Sequence, residues 1–181
     1  MPTVLNQLMG EQNQNLINAL FGAFVVAQQT YLPPESVPKF NKETCNFFMS
    51  KAKREKDNEG LSRFCIEKAL SFATDKANLE LLATWIQNKA IEIEGEKLPF
   101  TLSADQGYRI CKLYWASSDF NDDQKKELLS KALEGDNSDK AANVRKVCEW
   151  SLPKAELKQQ LWEEITNPLT NDSLMELRMK I

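Results

Sequence analysis

The chain has 181 residues, 42% hydrophobic and 27% charged, with a net charge of -3. That length and balance suit one folded domain rather than a disordered segment, and the acidic balance leaves no electrostatic footprint for nucleic acid. The sequence contains no histidine, which excludes Ser-His-Asp and Cys-His relays, an imidazole base and the H-E-x-x-H zinc motif.

Turn formers are scarce, with Gly 6 and Pro 7, which favours long helices over a many-stranded sandwich or barrel. From Val4 to Tyr31 the apolar residues Leu5, Leu8, Leu16, Ile17, Leu20, Phe21 and Phe24 recur at helical spacing, with a break expected near Gly10. Leu32-Pro33-Pro34 ends that stretch, because proline cannot continue a helix. A second helix is expected from Pro38, carrying Phe40, Cys45, Phe47, Phe48 and Met49, with the charged run Lys51 to Asp57 as its solvated end. After Gly60, a third helix carries Leu61, Phe64, Cys65 and Leu70, and a fourth carries Leu79, Leu82, Trp85 and Ile86. Ala90 to Gly95 alternates apolar and acidic residues and reads either as a brief strand or as a fraying helix end.

Ser103 and Gln106 have the spacing of a capping box and open a fifth helix with Tyr108, Ile110, Cys111 and Trp115. Asn121 and Gln124 repeat the box before a helix that Gly135 closes. Asp136 to Asp139 starts the next, with Val144, Val147 and Cys148. Pro153 suits the first turn of a helix carrying Leu157, Leu161, Trp162 and Ile165; Pro168 stops it, and Leu174 to Ile181 begins a last one. Eight or nine helices on short connections predict an all-α fold, an array of antiparallel helix pairs forming a HEAT/armadillo-like α-solenoid. Residues 1–181 read as a single domain.

Four cysteines, Cys45, Cys65, Cys111 and Cys148, form no C-x-x-C pair and lie among apolar neighbours, so buried reduced thiols are expected rather than disulfides or a zinc knuckle. No leader is visible and no apolar run reaches the length of a membrane span; a cytoplasmic setting follows, and the sequon at Asn171 reads as chance. There is no phosphate loop and no metal-ligand motif, so no metal or cofactor is expected in this chain. Trp85, Trp115, Trp150 and Trp162 sit at core spacing. Arg109 and Arg145, both on helices, are the candidate substrate-channel residues, because a guanidinium can fork onto a peptide carboxylate; surface ion pairing is the competing reading.

From Leu79 to Ile165 the motifs run in a telling order: Leu82-Ala-Thr-Trp85, then Leu102-Ser-Ala-Asp105-Gln-Gly-Tyr-Arg109, then Asp136-Asn-Ser138, then Ala141-Ala142. Pro153-Lys-Ala-Glu-Leu-Lys158-Gln-Gln-Leu-Trp162 follows in the form P-x-x-x-x-K-x-x-x-W. Together with Leu32-Pro33-Pro34, this order resembles the C-terminal helical domain of the zinc aminopeptidases of the aminopeptidase N class. It departs at Ile110, where the family often has an aromatic after the arginine. The resemblance implies a non-catalytic domain that caps the chamber in which N-terminal residues are removed from peptides. Zinc and its ligands would belong to an upstream catalytic domain, which would be the partner, with peptide as substrate. The end at Ile181 then reads as that of a piece of a longer chain. The competing class is a stand-alone helical-repeat scaffold for protein interactions. A docking face for missing domains predicts an exposed apolar patch and some self-association.

Overall fold

A computed structural model describes residues 2–152 and 154–166. The expectations for Pro153, Pro168 and the last helix from Leu174 therefore lie outside the described residues. Among the described residues 71% are helical and the fold is all-α, with a single small hairpin. The chain divides into two compact units, Met1–Gln106 and Gly107–Ile181.

In the first unit the expected break after Gly10 separates α1 (Pro2–Met9) from α2 (Gln14–Thr30). The sequence signal for the restart is Asn13, whose side-chain oxygen accepts from the backbone N–H groups of Asn15 and Leu16 at 3.0 and 3.4 Å. Pro34–Ser36 forms a 3₁₀ turn that leads into α3 (Val37–Arg54), with Pro38 in its first turn. α4 (Glu59–Leu70) starts one residue before Gly60, capped by Asn58 on the N–H of Leu61 at 3.2 Å. α5 (Lys76–Asn88) is capped by Asp75. The open question at Ala90–Gly95 resolves as a strand: β1 (Glu92–Ile93) pairs antiparallel with β2 (Glu96–Lys97), Glu92 opposite Lys97 and Ile93 opposite Glu96. Glu94 and Gly95 both have positive φ, 52° and 76°, as a two-residue hairpin turn of the primed type requires.

α3 is the spine of this unit. It packs antiparallel along α4 across a four-residue turn, and Ser62 at the start of α4 donates its hydroxyl to the Ala52 carbonyl near the end of α3 at 2.7 Å. The inner face of α2 packs across both helices: it meets α3 through phenylalanines in edge-to-face contact, and Lys68 of α4 donates to Asn18 at 2.7 Å. Phe21 lies 6.0 Å from Phe48 and 5.4 Å from Phe72, and Phe40 lies 6.3 Å from Phe24 and 6.0 Å from Phe72. Asn41, buried on α3, accepts from the Gln28 amide at 2.9 Å and donates to the Thr74 hydroxyl at 3.3 Å. Trp85 is buried and its indole N–H donates to the Glu92 carbonyl at 2.7 Å, which fixes the hairpin beside the end of α5.

α6 (Ala104–Ala116) begins in the first unit with the expected capping box: the Ser103 hydroxyl accepts from the Gln106 N–H at 3.2 Å, and the Gln106 side-chain Oε1 accepts from the Ser103 N–H at 3.0 Å. In the second unit, α7 (Asp122–Ala132) carries the second box, Asn121 with Gln124, at 2.9 and 3.0 Å. α8 (Asp139–Trp150) is capped by Ser138, and α9 (Ala155–Thr166) packs against α8. Trp115 of α6 donates its indole N–H to the Lys125 carbonyl of α7 at 2.8 Å, and Tyr114 stacks on Phe120 with centroids 3.7 Å apart.

Two expectations about burial need correction. Trp162 is 63% exposed, whereas Trp85 and Trp115 are buried and Trp150 is half-buried. Lys51, the first residue of the run expected to be a solvated helix end, is fully buried. It falls three residues after Phe48 and seven after Thr44, on the inward face of α3.

Replacing Phe48 by alanine removes the ring that two helices share. It is expected to cost about 3–5 kcal/mol in urea unfolding, against about 1 kcal/mol for Asn121→Ala at the exposed cap of α7.

Candidate functional site

The chemistry-bearing side chains gather at two joints, one in each unit. In the first unit the Lys51 ammonium donates to the Met9 carbonyl at 3.0 Å and to the Glu11 carbonyl at 2.6 Å, and lies 3.7 Å from the Glu55 carboxylate one turn further along α3. The Met9 carbonyl is an orphan left by the end of α1, and Glu11 lies in the connection that follows. A cation at a helix C-terminus meets the negative end of the dipole as well as the hydrogen-bond acceptors. Two turns earlier on α3, the Thr44 hydroxyl is fully buried and has no hydrogen-bond partner among the described residues. Of the charges beyond Lys51, Arg54 and Asp57 are exposed, while Lys53 and Lys56 are half-buried and bind Glu94 at 3.0 Å and Glu96. The Lys56 hydrogen bond holds the Glu96 carboxyl below its ordinary range.

In the second unit Gly135, with φ of 78°, turns the chain so that Asp136 faces α6. The buried Tyr108 hydroxyl donates to the Asp136 carboxylate, which also accepts from the Ser138 N–H at 2.9 Å. The tyrosine hydrogen bond, and then the Ser138 N–H, hold the Asp136 carboxyl below the usual carboxylate range. The same bond, assisted by burial, pushes the Tyr108 hydroxyl up. Ser138 in turn accepts from the Ala141 N–H at 3.2 Å and so starts α8. At the other end of α8, the Lys158 ammonium from α9 donates to the Trp150 carbonyl. Lys154 binds Asp122 at 2.8 Å, which lowers the Asp122 carboxyl.

Of the candidate residues, Arg109 is half-buried on α6, next to Tyr108, and Arg145 is exposed on α8. The residues that converge are the ones the sequence marked only as caps and core: Tyr108, Asp136 and Ser138. The sequence alone offered a signal for Asp136, three residues before Asp139 at a helix start, but none for its tyrosine partner 28 residues earlier. Lys51 was legible only by its phase on α3.

The sequence offers no imidazole, and among the described residues no three of Cys, Asp and Glu lie together as a ligand group. The four cysteines are free and buried, as expected. Burial, more than any neighbouring charge, pushes each thiol up to about 12. At neutral pH they are protonated, the state of inert packed thiols rather than of nucleophiles. No described helix is long and apolar enough to cross a membrane.

Lys51→Met strips a buried cation from two carbonyls and a carboxylate and is expected to lower stability by about 3 kcal/mol or more in urea titration; Glu55→Gln, which leaves both carbonyl bonds in place, should cost less. For Asp136 the native carboxyl lies below its unfolded value. Its contribution is therefore present above the ordinary carboxylate range and is lost as pH falls through the lowered native value. Tyr108→Phe removes the largest cause of that lowering. The stability gap between wild type and variant, read from thermal melts, should be widest at neutral pH and narrow on acidification. Compared with protein-family models, with curated proteins and with solved structures, the chain matches none of them.

Proposed function

We propose that this chain is the non-catalytic C-terminal helical domain of a zinc aminopeptidase. Its part is to cap the chamber where an upstream catalytic domain removes N-terminal residues from peptides. One observation carries the reading: stretches that carry the resemblance, far apart in sequence, meet at the two ends of one helix, α8. Tyr108, from Leu102–Arg109, donates to Asp136 of Asp136-Asn-Ser138, and Ser138 caps the helix that opens with Ala141-Ala142. Lys158 of the P-x-x-x-x-K-x-x-x-W stretch then closes the far end of that helix. Residues that form one structural unit have a physical reason to recur together. In this reading the helices continue as antiparallel pairs in the manner of a HEAT-like α-solenoid. Arg109 and Arg145 line the way to peptide, zinc resides in the catalytic domain, and the four free thiols suit a cytoplasmic setting.

A second reading, a helical scaffold that binds other proteins, is favoured by exposed apolar side chains, Trp162 on α9 and Leu16 and Val26 on α2. The coding sequence ahead of Met1 separates the two: an H-E-x-x-H motif in frame supports the peptidase domain, and an unrelated domain supports the scaffold. The purified chain should release no chromophore from an aminoacyl reporter substrate, with or without added zinc. Robust turnover would overturn the assignment of the chemistry to another domain.

A further inference from the structure

We draw no further inference here: the strongest candidate, the outer side of α2 with its exposed Leu16 and Val26, carries nothing because nothing in the structure shows what covers it.

Discussion

A positive charge sealed away from water sets the terms for the first unit. The Lys51 ammonium sits where solvent does not reach, and it is satisfied by the Met9 carbonyl at the end of α1, by the Glu11 carbonyl just beyond it and by Glu55. A buried cation without such partners would carry a desolvation penalty of several kcal/mol. The end of α1 is therefore bound to α3 by electrostatic necessity as much as by apolar contact. The arrangement is directional in a way that hydrophobic burial is not: carbonyls must point at the ammonium, and they do so only when α1 stops at Met9 and the chain turns before α2.

From α3 the rest of the unit follows. Its antiparallel partner α4 is fixed by a short turn and a serine hydroxyl on a backbone carbonyl. α2 lies across this pair and is held through rings that meet edge to face, the geometry that aromatic quadrupoles favour. A thread of amide and hydroxyl groups, Gln28 to Asn41 to Thr74, runs beside the rings and keeps their polar neighbours paired. The second unit uses a different device. There a tight glycine turn presents one aspartate to a buried tyrosine, while the following serine starts the next helix.

Much of this was legible in the sequence because it is local. Both capping boxes, the proline boundary before α3, the break after Gly10 and the free buried thiols follow from spacings of four residues or fewer, or from apolar neighbours on one helix face. The hairpin was ambiguous because two residues per strand give too short an alternation to separate from a helix end. The site was harder. Lys51 was misread because a run of charged residues suggests solvent, whereas its phase relative to Phe48 points inward. Tyr108 and Asp136 were each read locally, as core and as cap; their hydrogen bond is a tertiary fact that no spacing encodes. Trp162 has core periodicity on α9 and yet is exposed, because periodicity says which side of a helix a residue occupies and not whether anything covers that side.

The four thiols have a practical corollary. Each lies under the surface with its proton held firmly through neutral pH, so peroxide, glutathione or an alkylating drug would find little to attack while the fold is intact. Reactivity toward such agents becomes a clock for opening of the helices: every sulfur modified marks a moment when its own stretch of chain had come apart.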